Sequence, residues 1–257
     1  MAFHLRRAWR ALWSDPPAPP PPTADAPPSS RDLKAVNVAY VEGVKASMPH
    51  ARAMEYAIGD GFELIGGMEA ALVRHYGLPQ DGYLVDVGCG AGRLAKPLSA
   101  WLKGRYLGFD LVPDLVAHAQ TIAARPDWRF EVIDHIGIPA ADGQADMVCF
   151  FSVLTHLLHE QSYWYLEEAR RVLKPGGRIV LSFLEFREPG HLPIFQATLA
   201  GAKAQVVAPM NVFLERVALE VFARELNLSI VEFRDGGDHI VPEGNLGQAL
   251  CVLEKPA

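Results

Sequence analysis

Residues 83–93 read YLVDVGCGAGR. An apolar run that closes on glycine predicts a buried strand, here 83–88. The glycines Gly88, Gly90 and Gly92 follow it. Without a Cβ, such a loop lets backbone amides approach a ligand closely. A helix opening just beyond would present its N-terminus to a negative group. Asp86 lies inside the strand, two residues before the first glycine, and Asp110 closes the next apolar run, RYLGFD (105–110), 20 residues after Gly90. That is near the ~20-residue offset at which a strand-end carboxylate reaches ribose hydroxyls. The stretch predicts a strand–glycine loop–helix unit built around a nucleotide-like ligand.

Working outward, the pattern alternates. A helix is expected over about Arg93–Lys103, then another over 111–124 (LVPDLVAHAQTIAA). Strands are expected at 128–134 (WRFEVID) and 146–153 (DMVCFFSV), followed by a helix at 162–174 (SYWYLEEARRVLK) that Pro175-Gly176-Gly177 ends. A fifth strand follows at 178–186 (RIVLSFLEF), a long helix at 212–228, and late strands at 229–233 and 248–255. Upstream, 31–58 suits short helices, the glycines of 59–67 suit a loop around Phe62, and 68–76 reads as a helix. Alternating strands and helices imply an α/β fold, with a doubly wound, mostly parallel, seven-stranded sheet and helices on both faces. Near-continuous apolar strands agree with cover on both sides. Two final strands with no helix between them imply an antiparallel strand at one edge.

The chain divides into three parts. Residues 1–13 (MAFHLRRAWRALW) form a basic amphipathic segment, with Leu5, Trp9 and Leu12 on one helical face and Arg6, Arg7 and Arg10 on the other. Residues 14–30 hold eight of the 20 prolines and read as a semi-rigid linker. Residues 31–257 form the globular domain, with 31–80 as an N-terminal helical cap region. The arginines interrupt the apolar stretch of 1–13, so a signal peptide is not expected. Weak contact with a membrane surface or a partner is the functional expectation for this segment, and an idle tail is the alternative.

Composition narrows the function. Of the 257 residues, 50% are hydrophobic and the formal charge is −6, which suits a globular body and disfavours a protein that grips nucleic acid. The three cysteines, Cys89, Cys149 and Cys251, are scattered and form no C-x-x-C. Neither a disulfide framework nor a zinc ribbon is expected, and no metal site. A reducing cytoplasmic location fits, peripheral at the inner membrane surface if the first segment is an anchor.

The glycine spacing leaves two ligand classes open. Gly90-x-Gly92-x-x-Ala95 satisfies the permissive dinucleotide pattern, whereas Arg93 breaks the one counted from Gly88. The late two-strand pattern weighs against a dehydrogenase. Several ordered segments together resemble class I S-adenosylmethionine-dependent methyltransferases of the broad small-molecule type. These are YLVDVGCGAGRLAKPL, GRYLGFDLVPDLV, FEVIDHIGIPAADGQADMV and SVLTHLLHEQSYWYLEEARRVLKPGGRIVLSF, the similarity extending over roughly residues 60–255. A Rossmann-like fold and S-adenosyl-L-methionine as cofactor are what the resemblance implies.

It also implies roles. Gly88, Cys89 and Gly90 would supply the close backbone surface under the cofactor, and Asp86 would help fix its ammonium. Asp110 would take both ribose hydroxyls, and Leu111 would lie against adenine. Asp134 would accept from the adenine amino group, with the His135 backbone alongside, and Phe151 would sit near the methionine end. A non-catalytic cofactor-binding scaffold is the competing class. Candidate general bases are His156, His159, Glu185, Glu188 and His191, of which His156, after the fourth strand, stands nearest the carboxyl edge where ligands bind. The fourth strand ends FFSVLTH, not in the Asn/Asp-Pro-Pro-aromatic motif of amino-methylating DNA enzymes, and no Pro-Cys pair is present. The acceptor is expected to be a small molecule, a lipid or a sugar.

Overall fold

The computed structural model describes residues 32–59, 61–204, 206 and 209–257. The basic segment 1–13 and the proline-rich stretch 14–30 lie outside the described residues. Three helices come first: α1 (Leu33–Lys45), α2 (His50–Ala57) and α3 (Phe62–His75). Then follow β1 (Tyr83–Val87), α4 (Ala95–Leu98), β2 (Arg105–Asp110), α5 (Pro113–Ala123), β3 (Arg129–Val132) and β4 (Ala145–Phe150). The second half holds α6 (His159–Val172), β5 (Leu173–Phe183), α7 (Leu192–Lys203), α8 (Arg216–Glu225), β6 (Ser229–Arg234) and β7 (Ala249–Glu254).

All seven strands form one sheet in the order β3-β2-β1-β4-β5-β7-β6. The first five pair in parallel, and β7 runs antiparallel to both β5 and β6. A dinucleotide-binding sheet of order 3-2-1-4-5-6 has no such inserted antiparallel strand. The period of two along each strand sets the layers. Tyr83, Val85 and Val87 face the side covered by Leu166 and Ala169 of α6 and Leu219 of α8. Leu84 faces the other side, with Leu72 of α3, Leu98 of α4 and Ala123 of α5. The strands read as continuous apolar runs because both faces are packed.

Several boundaries differ from the sequence expectation. The helix expected over Arg93–Lys103 is α-helical only at Ala95–Leu98. The glycines of 59–67 do not form a loop around Phe62, because α3 starts at Phe62 and runs through Gly66 and Gly67. The helix expected from 212 begins at Arg216 instead. Residues 212–214 lie outside the helix, with the Val212 amide donating to the Thr155 carbonyl (2.6 Å) and the Leu214 amide to that of Leu184 (2.8 Å). The α6 helix ends at Val172, so β5 starts at Leu173, and its register against β4 shifts across Pro175-Gly176-Gly177. Between β5 and α7, residues 185–195 contain the 3₁₀ turn Pro189–His191 and the start of α7.

A buried ion pair ties that stretch down. Glu185, 1% exposed, accepts from Arg216 Nε (3.0 Å) and Nη2 (2.8 Å), and the same guanidinium reaches Asp235 after β6. His191, equally buried, accepts the Glu185 amide at Nδ1 (3.0 Å) and donates from Nε2 to the Gly247 carbonyl (3.1 Å). Removing one partner of a buried pair strands the other charge. Arg216→Met should therefore destabilise the fold by about 3–5 kcal/mol. The Glu185→Leu, Arg216→Met double variant should recover much of that loss. Urea denaturation of the three proteins checks both statements.

Candidate functional site

The order reverses direction between β1 and β4, so the loops leaving their carboxyl ends diverge and open a crevice. A cavity of about 910 Å³ fills it. Such a volume lies near the top of the ~300–1,000 Å³ range of ligand sites. Its floor is the glycine loop. Gly88 adopts φ +67°, and a Cβ there would meet Val153 Cγ2 at 2.6 Å; Gly90 adopts φ +50°, and its Cβ would meet Ile58 Cγ2 at 3.0 Å. Only glycine permits both the conformation and the contact.

Asp110 ends β2 at the cavity wall. Its Oδ2 accepts the Gly90 amide (3.1 Å) and its Oδ1 the Val112 amide (3.0 Å). Each oxygen keeps a further lone pair for a ligand. Burial raises its pKa, and the backbone amides oppose that rise. Asp86 lies below, 3% exposed, accepting from the Tyr106 hydroxyl at 2.5 Å, with Cys149 Sγ at 3.4 Å. Burial, only partly offset by the Tyr106 hydrogen bond, pushes its pKa up to about 7. Cys89 lies under the loop, and burial holds its thiol well above the ordinary range, so it is no nucleophile.

The other expected residues separate into groups. Leu111 and Phe151 line the cavity. Asp134 and His135 also line it but are largely exposed, and Asp134 is paired with Lys34 Nζ of α1 at 3.0 Å. His156 lines the cavity with Nδ1 2.6 Å from the Met210 carbonyl. A carbonyl can only accept, so Nδ1 carries the proton and Nε2 keeps a free lone pair. Burial lowers the His156 pKa and keeps the ring neutral. His159 stands outside the lining, its Nε2 against the Phe213 carbonyl (3.1 Å). Glu185, Glu188 and His191 are absent from the lining too. Glu185 and His191 belong to the buried tie described above. The carboxylates of Glu185, Glu188 and Asp235 converge, and the Arg216 guanidinium already bridges two of them.

Sequence reasoning missed part of the wall. Asn37 and Tyr40 of α1 and Ile58 after α2 line the cavity, so the N-terminal helices contribute directly to the site. Glu69 of α3 and Arg93 form a buried pair at 2.6 Å beneath it. The signal for that pair was an acidic residue inside the apolar run MEAALV. Ser152, just past β4, adopts φ +59°, rare for a residue with a Cβ. A closed ring of hydrogen bonds holds it. Its amide donates to Ser182 Oγ (2.8 Å), Ser182 donates to Gln248 Oε1 (2.7 Å), and Gln248 Nε2 donates to Ser152 Oγ (3.1 Å). No local pattern marks partners 30 and 96 residues away.

Residues 84–177 match a family model described as a methyltransferase domain. The chain is 31% identical over 130 residues to a malonyl-[acyl-carrier protein] O-methyltransferase of Hahella chejuensis, an alignment covering 48% of the chain and 45% of that relative. It is 32% identical over 112 residues to a ubiquinone biosynthesis O-methyltransferase of Cereibacter sphaeroides, covering 42% and 43%. The chain thus spans less than half the length of these curated relatives. Among solved structures, the magnesium protoporphyrin IX methyltransferase of Synechocystis PCC 6803 superposes with a TM-score of 0.54 at 16% identity, over 98% of this chain and 94% of that one. At that identity the likeness is one of fold.

Asp86 gives the site a pH signature. Its folded-state pKa of about 7 lies above its ordinary value of 3.8, so the folded protein holds the extra proton between about pH 4 and 7. Stability contributed by this group falls as pH rises through that window and levels off above it. The unfolding free energy of the wild type minus that of Asp86→Asn should therefore drop by a few kcal/mol from pH 4 to 7. Urea denaturation of both proteins across that range measures it.

Proposed function

The chain carries a class I S-adenosylmethionine-dependent methyltransferase domain, and we propose that it moves the cofactor's methyl group to a hydroxyl oxygen of a small organic acceptor. The observation that carries this reading is the pairing, in one cavity, of the anchored Asp110 carboxylate with the free Nε2 of His156. Held there, the cofactor would supply a sulfonium-activated methyl group for transfer to the acceptor oxygen.

The residues fit that cofactor. The glycine floor has no room for a Cβ, so backbone rather than side chain would lie under it. Asp110 presents one free lone pair on each of two oxygens, a match for neighbouring ribose hydroxyls. Leu111 would pack on adenine, Asp134 would accept its amino group, and the His135 backbone would lie beside it. Asp86 would face the ammonium, and Phe151 the methionine end. Five carboxylates against the two cations Lys34 and Arg93 in the lining favour a cationic ligand. His156 would take the hydroxyl proton at Nε2, and its Met210 hydrogen bond fixes the tautomer that can do so. Both relatives described above are named as O-methyltransferases, which supports oxygen as the acceptor atom.

Calorimetric titration should show binding of S-adenosylmethionine and none of NADH. Asp110→Ala should weaken binding by a few kcal/mol, because two charge-assisted hydrogen bonds are lost. His156→Ala should keep cofactor affinity and lose about 10²–10⁴ in the rate of S-adenosylhomocysteine release with acceptor-containing extract fractions. Cofactor binding with silence across all fractions would instead mark a non-catalytic scaffold.

A further inference from the structure

We propose that the acceptor is an uncharged, hydroxyl-bearing amphiphile, its head in the cavity at His156 and its apolar tail along the exposed face of α7. The inference rests on the methyl-transfer reading above and adds the class of acceptor.

The α7 helix (LPIFQATLAGAK) has no buried residue. Its one charge is Lys203, at the last position. Leu192, Phe195 and Leu199 recur at spacings of three and four, so they share a face. All three are exposed, at 47%, 38% and 43%. Phe186, 54% exposed, meets Phe195 edge-on with ring centroids 5.3 Å apart and stacks on Phe213 at 4.4 Å. A contiguous apolar surface of this kind marks a binding site more often than plain solvent contact.

What covers it follows from where it leads. Residues 209–213 connect this face to the cavity. Asn211 lines the cavity and donates to Thr198 Oγ1 on α7 at 2.9 Å. Its neighbour Met210 supplies the carbonyl that orients His156, and Phe213 belongs to the aromatic group on the outside. The apolar face of α7 is thus joined to the cavity lining through the Asn211–Thr198 hydrogen bond and the Phe213–Phe186–Phe195 ring contacts, the route along which the tail of a ligand bound at His156 would run.

The charge of the head follows from the lining. Among the described lining residues, the two fixed cations are already matched, Lys34 with Asp134 and Arg93 with Glu69. Asp32, Asp86 and Asp110 add three more carboxylates. A carboxylate or phosphate head would find no free cation and would meet like charge. An uncharged hydroxyl meets neither obstacle.

The test uses the full-length protein saturated with S-adenosylhomocysteine and a calorimetric series of catechol, 4-butylcatechol and 4-octylcatechol. Binding of S-adenosylhomocysteine itself is titrated first, and its absence would sink the methyl-transfer reading. With that binding intact, affinity should climb with chain length by up to about threefold to fourfold per buried methylene. Leu199→Glu, at an exposed position, should flatten the climb and leave S-adenosylhomocysteine affinity unchanged. Octanoate, matching the longest tail but carrying an anionic head, should bind at least tenfold more weakly than 4-octylcatechol. A flat series, no binding by any catechol, or equal affinity for octanoate would overturn the inference. So would a series unaffected by Leu199→Glu, or a face that Leu199→Glu shows to bind anionic vesicles while the series stays flat.

Discussion

The loops that leave β1 and β4 touch where Gly88 meets Val153, with no space for even one more carbon. That contact is the price of the topology. Strands β1 and β4 are parallel neighbours whose following segments depart to opposite sides, so their loops must part to make a crevice yet meet to close its floor. The positive φ at Gly88 brings the backbone across, and the Gly90 amide then reaches the Asp110 carboxylate. The ends of three strands are joined through two contacts of backbone with side chain before any ligand enters. Preorganisation of this kind lowers the ordering cost of binding.

The cavity concentrates acid beneath its ligand. Asp86 and Glu69 are both buried, and burial raises the pKa of each. Arg93 partly compensates Glu69, and the Tyr106 hydroxyl partly compensates Asp86. A positively charged ligand would complete the neutralisation that the folded chain leaves unfinished. Its charge would also hold Asp86 in the ionised form, so binding and proton release are linked.

Much of this fold was legible in the sequence where the constraint is local. The apolar strands, the glycine loop and the Asp86/Asp110 pair rest on burial, backbone freedom and a fixed offset, all written within short windows. The antiparallel pair at one edge followed from two strands without a helix between them; β6 is the outermost strand, and β7, antiparallel to both β5 and β6, lies just inside it. Legibility failed where distant partners decide. Residues 212–215 have helical periodicity, but the carbonyls of Thr155 and Leu184 take the Val212 and Leu214 amides and the helix starts only at Arg216. Glu185 and His191 have the chemistry of a base, yet Arg216 and Gly247 hold them in the interior. The Ser152–Ser182–Gln248 ring joins three strand ends that are far apart in the chain. Among the described residues, no helix is long and apolar enough to cross a membrane.

The position of β7 has a consequence for how the molecule is born. It is later in the chain than β5 and β6, yet it lies between them. While the polypeptide is being synthesised, β5 keeps an unpaired edge, and β6 has no strand to join, until residues 249–254 emerge. Gln248, which closes the ring around Ser152, arrives at the same moment. The nascent chain therefore carries a sticky sheet edge and an unfinished site from the completion of β5 at Phe183 until β7 emerges, the interval in which chaperones find such surfaces.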